Sequence, residues 1–199
     1  MQSAQVATVA RTTCAQVMAN TGVSGVYQLS LPESGLPPFY AFCERDPTNG
    51  APWTVLMRRQ NRTFAFTQQL NSMQVNFNRT WEEYRVGFGN VMYEHWLGLE
   101  YMHALTAATN RPQQLWIRIQ STQTNIIRNV YYESFVVGGW ETNYAIRILG
   151  PFRGDTADNL RYNEGMQFAT YDRDTSAVGG NGCVRQHGSG WWYTNCFVG

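Results

Sequence analysis

Two carboxylates two positions apart, Asp172 and Asp174, are the side chains in this sequence best suited to hold a hard cation. A D-x-D pair on an extended or turning segment points both carboxylates the same way. Ca2+ takes about six to eight oxygen ligands at about 2.3–2.6 Å. The residues that follow, Thr175 to Gly180, offer backbone carbonyls to complete such a shell. The pattern is not an EF-hand, because the third acidic position and the closing Glu are missing. A solvated polar turn is the alternative reading of the same residues.

The second chemistry is sulfur. Cys14, Cys43, Cys183 and Cys196 contain no C-x-x-C spacing of the kind a zinc site or redox pair uses. Four cysteines allow three pairings, and spacing alone does not choose among them. Pairing within the early and the late couple is the simplest, and the late loop is short enough that closing it contributes about 3 kcal/mol. Four buried free thiols are the alternative. Asn61-Arg62-Thr63 and Asn78-Arg79-Thr80 are N-glycosylation triplets, which agree with a secreted protein. The N-terminal run MQSAQVATVARTT has no continuous apolar stretch, so a secretion signal is expected outside this chain.

Catalytic chemistry finds no purchase. Glu82 and Glu83 are adjacent carboxylates that read as the wet face of a short helix rather than an acid/base pair. No nucleophile–base constellation and no glycine-rich phosphate loop after a strand appear. The chain is not read as an enzyme.

The composition narrows the class further. Of 199 residues 43% are hydrophobic and only 15% charged. The 15 basic residues are all Arg and face 14 acidic ones, for a net charge of +1. So small a field argues against a dedicated nucleic-acid binder. Seven Trp, 11 Tyr and 10 Phe supply enough apolar surface to offset chain entropy, which excludes disorder. No apolar run is long enough to span a membrane. The polar surface is made from Asn, Gln and Thr instead of charge, and the absence of Lys has no physical explanation in the sequence.

The elements that must position these groups follow from periodicity. A short helix is expected within residues 1–20. Strands are expected over 25–31, 39–43, 53–58, 115–120, 130–137 and 143–149, and 115–120 and 143–149 alternate cleanly. Asp46 to Gly50 is turn chemistry. Helices are expected over 79–86, stopped by Gly87 and Gly89, and over 97–105, whose apolar residues recur at helical spacing. Beyond about residue 150 the chain turns Gly- and Asn-rich, and a loop-rich stretch of that length calls for a disulfide or a metal ion. The class is α+β, a mixed and mostly antiparallel sheet with short helices.

Taken in order, these segments resemble a fibrinogen-related domain, the C-terminal module of the fibrinogen chains, ficolins and tachylectins. The matching stretches begin with Cys14, Ser24-Gly25-Val26-Tyr27, Cys43 and Trp53-Thr54-Val55. They continue through Trp81-Glu82-Glu83-Tyr84, Gly87-Phe88-Gly89, Glu94-His95-Trp96-Leu97-Gly98-Leu99-Glu100 and Tyr132-Glu133-Ser134-Phe135. They end with Met166 to Asp174, Cys183 and Gly190-Trp191-Trp192-Tyr193-Thr194-Asn195-Cys196.

The resemblance implies a fibrinogen C-terminal-like globular domain over 1–199. Its parts are an N-terminal disulfide subdomain (1–45), a central sheet subdomain (46–150) and a loop-rich calcium and ligand subdomain (151–199). It implies disulfides Cys14–Cys43 and Cys183–Cys196. It implies a Ca2+ site on Asp172 and Asp174, with backbone carbonyls near Ser176 and Val178. A cis peptide at Asn195–Cys196 is implied beside a pocket that takes an acetyl group through backbone N–H donors.

His187, Trp192, Tyr193, Asn195 and Cys196 are the expected ligand-binding residues, with Trp191 and Trp192 divided between core and pocket. His187 stands where the family usually has an aromatic residue. The chain also stops at Gly199, short of the family's closing segment, so it is read as truncated. The resulting expectation is a secreted, calcium-dependent, lectin-like module for acetylated glycans in innate immunity, homo-oligomeric in its full-length form. A protein-interaction domain with a lost sugar pocket, binding protein receptors, is the alternative, and a truncated fragment without binding is the third reading.

Overall fold

The computed structural model describes residues 12–60, 74–107, 112–175, 182–194 and 196. Asn61, Ser176, Val178, Asn195 and the expected cis peptide at Asn195–Cys196 fall outside these residues.

Thr13 opens helix α1 (Cys14–Thr21). Its hydroxyl accepts from Gln16 N–H, and the Gln16 side chain accepts from Thr13 N–H, a reciprocal capping box that satisfies two orphan donors. Strands β1 (Gly25–Leu29), β2 (Phe39–Arg45) and β3 (Pro52–Thr54) form one antiparallel sheet in that order. Cys14 at the start of α1 is bonded to Cys43 in β2, which fixes the helix to the sheet. β3 lies beyond residue 45 and pairs with β2.

The strand expected over 53–58 is two strands. β4 (Met57–Arg58) leaves the first sheet and pairs with β6 (His95–Trp96), which also carries β5 (Phe88–Gly89). Both halves are extended and apolar, so local pattern does not reveal that they serve different partners. Helix α2 (Trp81–Val86) repeats the capping box through Thr80 and Glu83. The next helix, α3, runs over Leu99–Ala107 rather than 97–105. Gly98 explains the shift: its φ is +113°, and a Cβ there would sit 2.9 Å from the Val86 backbone. The chain must pass α2 closely before it can begin to coil.

The expected strand 130–137 is likewise divided. β8 (Ile127–Tyr132) lies between β7 (Leu115–Gln120) and β11 (Phe152–Gly154), whereas β9 (Phe135–Val137) pairs with β10 (Ile146–Leu149). β7 matches its expected span. β10 begins three residues later than expected, because Asn143 and Tyr144 adopt left-handed φ values of 49° and 50° and form a turn. A bulge between Ile146 and Ile148 also breaks the clean alternation. Among the described residues after 154, the helical elements are a 3-10 turn (Leu160–Asn163) and a short helix, α4 (Gly182–His187).

One core joins these pieces. Trp81, Tyr84, Trp96, Phe168 and Trp192 are all buried and meet ring to ring, with Phe168 fully enclosed. Tyr84 donates to the Phe77 carbonyl at 2.7 Å and accepts from Gly190 N–H at 3.0 Å. Burial pushes its phenol up to about 12, so the hydroxyl stays protonated and can serve both partners.

His95 is enclosed in the same region, with Nε2 3.1 Å from the Val55 carbonyl and Nδ1 3.4 Å from that of Tyr93. Burial lowers its pKa, and the two carbonyls oppose this without overcoming it. The folded protein therefore keeps the ring neutral at pH values where the unfolded chain protonates it. The stability this supplies is complete above about pH 6.5 and is lost as pH falls through the folded value. Melting temperature is expected to fall between pH 7 and pH 5, and His95→Gln should flatten that fall. An unchanged slope in the variant would assign the pH dependence elsewhere.

Candidate functional site

The D-x-D pair sits on a tight turn. Thr170 and Arg173 exchange backbone hydrogen bonds at 3.0 and 3.1 Å, which folds Tyr171 and Asp172 outward. Immediately before the turn, Ala169 pairs with Trp191 through two further backbone bonds. Asp172 Oδ1 accepts from the Thr170 hydroxyl at 2.7 Å and from the Trp81 N–H at 2.9 Å. The second contact ties the turn to the first residue of α2. Asp172 is exposed and Asp174 half-buried, so both carboxylates stand near solvent on one short segment.

Arg173, between them in sequence, packs against aromatic rings. Its guanidinium is 4.1 Å from the Trp81 ring centroid and 4.7 Å from that of Trp140, and Nη2 donates to Asn143 Oδ1 at 2.5 Å. Thr175 closes the described part of the loop by donating its hydroxyl to the Phe168 carbonyl. Two carboxylates plus carbonyls are a donor set of the hard, oxygen-only kind that Ca2+ takes. Among the described residues no three His, Cys, Asp or Glu side chains gather into a metal cluster. Any cation here therefore depends on main-chain oxygens to supplement Asp172 and Asp174.

The expected pocket residues are placed differently from one another. Cys183, buried in α4, is bonded to Cys196, so both expected disulfides form. Trp192 is a core residue: it is 4% exposed, and its indole N–H donates to the Tyr144 carbonyl at 2.7 Å. Its neighbour Trp191 is half-buried, because its backbone pairs with Ala169 and turns the ring the other way. Tyr193 is buried too, and its hydroxyl donates to the Ser189 carbonyl at 2.9 Å. Trp192 and Tyr193 thus present neither an open ring face nor a free polar group. His187 is exposed at the end of α4, stacked on Tyr193 with centroids 5.7 Å apart, and its Nε2 meets the Cys196 carbonyl.

A feature the sequence reading missed lies away from both loops. A groove of about 2190 Å3 runs between the segment that carries β3 and β4 and the strand β7. Among the described strands, β3, β4 and β7 each have a neighbour on one side only. Trp53 and Trp116, 5.5 Å apart, form part of its wall. Arg45, Arg58, Arg59 and Arg118 line it, against the carboxylates of Glu44 and Glu94. Glu44 is held by Arg58 at 3.4 Å, and Glu94 accepts the N–H groups of Gln60 and Val75. The groove therefore carries more positive than negative charge. Its only sequence signal was the pair of tryptophans, which pattern alone does not separate from core.

The fold can be compared with known proteins on this basis. Residues 10–199 match the family model for the fibrinogen beta and gamma chains, C-terminal globular domain. The chain belongs to the fibrinogen C-terminal domain family. Tenascin-R of Gallus gallus is 35% identical over 184 residues, covering 92% of this chain and 12% of that protein. Human angiopoietin-related protein 1 is 35% identical over 177 residues, covering 88% of this chain and 32% of that protein. The chain thus spans a third or less of these two relatives.

The fibrinogen-like globe domain of human ANGPTL6 superposes with a TM-score of 0.75 at 32% identity, covering 90% of this chain and 72% of that one. Lamprey fibrin D-dimer, solved with the peptide Gly-His-Arg-Pro-amide, gives a TM-score of 0.75 at 30% identity, covering 92% and 57%. Both disulfides and the mixed α+β architecture agree with membership of this fibrinogen-like family. Among the described residues no helix is long and apolar enough to cross a membrane.

Proposed function

We propose that this domain is a non-catalytic, extracellular recognition module that binds a polypeptide partner along the groove between β3–β4 and β7. The groove itself carries the reading. At about 2190 Å3 it exceeds the roughly 300–1,000 Å3 of small-molecule pockets, and its walls are outer strands. An extended segment adds to such strands through main-chain hydrogen bonds, while pockets for alternate side chains give specificity. The excess of Arg selects a partner segment with acidic side chains. The peptide complex of lamprey fibrin D-dimer and the angiopoietin-related and tenascin relatives support recognition of protein rather than catalysis. Two disulfides and an exposed Asn78 in a glycosylation triplet fit an oxidising, extracellular setting.

Within this reading Asp172 and Asp174 hold Ca2+, which stabilises the loop that follows them. A second reading, binding of an acetylated glycan near Cys183–Cys196, is favoured by the exposed His187 ring stacked on Tyr193.

A binding screen against receptor ectodomains separates the two, run with and without N-acetylglucosamine and EDTA. Saturable binding that sugar leaves untouched, that weakens with salt, and that Arg118→Glu reduces about tenfold supports the groove. Binding that N-acetylglucosamine abolishes, with Arg118→Glu neutral, replaces it with the glycan reading.

A further inference from the structure

The triplet Asn78-Arg79-Thr80 has the form of an N-glycosylation acceptor, and the fold treats its three side chains differently. Asn78 is exposed, and among the described residues its carboxamide makes no hydrogen bond. Its backbone N–H donates to Asn76 Oδ1 at 2.8 Å, a turn of the kind Asn side chains favour. Arg79 is folded back, with Nε donating to the Asn76 carbonyl at 2.9 Å and Nη1 to Glu83 Oε1 at 2.8 Å. The Thr80 hydroxyl is used twice: it donates to Glu83 Oε2 at 2.9 Å and accepts from Glu83 N–H at 3.3 Å, as the N-cap of α2. A transferase that recognises this triplet must bind the same hydroxyl. The capping box therefore competes with it for the acceptor threonine.

The cap does not stand alone. α2 has six residues, fewer than an isolated helix needs to persist in water. It is held by Asp172 Oδ1, which accepts from Trp81 N–H, and by Gly190 N–H, which donates to the Tyr84 hydroxyl. Those partners lie 91 and 106 positions away in sequence. In the unfolded chain Thr80 is open to an enzyme, and in the folded domain it is engaged.

We propose that Asn78 carries an N-linked glycan that is added before α2 forms, and that the capping box closes the acceptor once the domain folds. The donor is a lipid-pyrophosphate-linked oligosaccharide. The Asn78 Nδ2 atom bonds to the anomeric carbon of the sugar. The bond from that carbon to the pyrophosphate oxygen breaks, its electron pair leaves on the pyrophosphate, and one amide proton passes to base. A large hydrated sugar needs a surface position, which the exposed Asn78 supplies in the folded domain. The natural route to the donor rests on the extracellular reading.

The whole chain would be directed into the secretory pathway of an animal cell by an added signal peptide. Tryptic peptides from medium and lysate together are then analysed by mass spectrometry. Cleavage at Arg62 separates Asn61 from Asn78. The expected result is a glycan on Asn78 that peptide N-glycosidase removes, leaving Asp. Thr80→Ser should keep it. Asn78→Gln and Thr80→Asp should lose it, although Asp still caps a helix. A bare Asn78 in wild-type product with both disulfides formed overturns the proposal.

The order of events has its own readout. Purified oligosaccharyltransferase with its lipid-linked donor is offered the folded, disulfide-bonded chain and the same chain reduced and alkylated. The reduced chain is expected to be modified at least about tenfold faster, because in the folded one only the locally opened fraction presents Thr80. Equal or reversed rates overturn the closing of the acceptor by the cap. Neither readout depends on what the groove binds, so a failure here and a failure of the groove reading are told apart.

Discussion

Phe168→Ala is expected to destabilise the domain by about 4 kcal/mol, near the top of the range for emptying an aromatic site. Phe168 is fully enclosed, with ring centroids 5.0 Å from Tyr84, 5.5 Å from Trp96, 5.0 Å from Trp192 and 6.2 Å from Trp81. Its neighbours come from α2, β6 and the segment before Cys196, so no single element can move in to fill the space. Aromatic pairs also lose geometry-dependent contact beyond buried area. The damage should reach the D-x-D turn, because Phe168 N–H donates to the Asn143 carbonyl and its own carbonyl accepts from Thr175. Urea unfolding would read the loss in midpoint, and near-UV circular dichroism the loss of fixed aromatic packing. A change below about 1.5 kcal/mol would mean that the core relaxes around the site and does not depend on this ring.

Glu94→Ala is the second large effect, expected at about 3 kcal/mol or more. Glu94 is buried, and its two oxygens accept separately from Gln60 N–H at 2.6 Å and Val75 N–H at 2.7 Å. One carboxylate thus clasps two chain segments by charge-assisted bonds. Alanine removes the charged acceptor from both amides, and a hydrogen bond to a charged group is worth about 1.5–3 kcal/mol. Glu94→Gln should fall between, since its amide offers one acceptor oxygen and turns a donor toward the other N–H. Hydrogen exchange at the Gln60 and Val75 amides checks the mechanism directly. Both should lose protection in the alanine variant and one in the glutamine variant. Protection unchanged at both positions would show that the backbone there is held by something else.

Much of this organisation was legible in the residues themselves. The run 79–86 and the glycine that stops it mark α2, and the alternation over Leu115–Gln120 marks its strand. These signals are local, and so they survive without knowledge of the fold. Several places where reading failed depend on distant partners. Residues 53–58 are extended throughout, but only pairing with β2 in one half and β6 in the other divides them. Trp191 and Trp192 are identical in type, and the ladder with Ala169 decides which one faces the core.

For the site, Asp172 was visible as a carboxylate beside another, whereas its bond to Trp81 spans 91 positions and leaves no local trace. The same holds for Arg173, whose stacking on Trp81 and Trp140 joins positions far apart in the chain. The groove was invisible for a related reason, since a strand's missing neighbour is a property of the sheet and not of the strand.

The long reach of these bonds also fixes when the molecule can become itself. Cys14 and Cys43 are 29 positions apart, so the first sheet and its disulfide can form as soon as that part of the chain emerges. The aromatic centre cannot. Tyr84 waits for Gly190 across 106 positions, and α2 waits for Asp172 to complete its first turn. At a synthesis rate of about 5–20 residues per second, the interval is on the order of 5–20 s. Throughout it Trp81, Tyr84 and Trp96 lack the Phe168 and Trp192 surfaces that finally cover them. The nascent chain is therefore most vulnerable to aggregation in its middle third, and its yield in a cell depends on what shields those rings during synthesis.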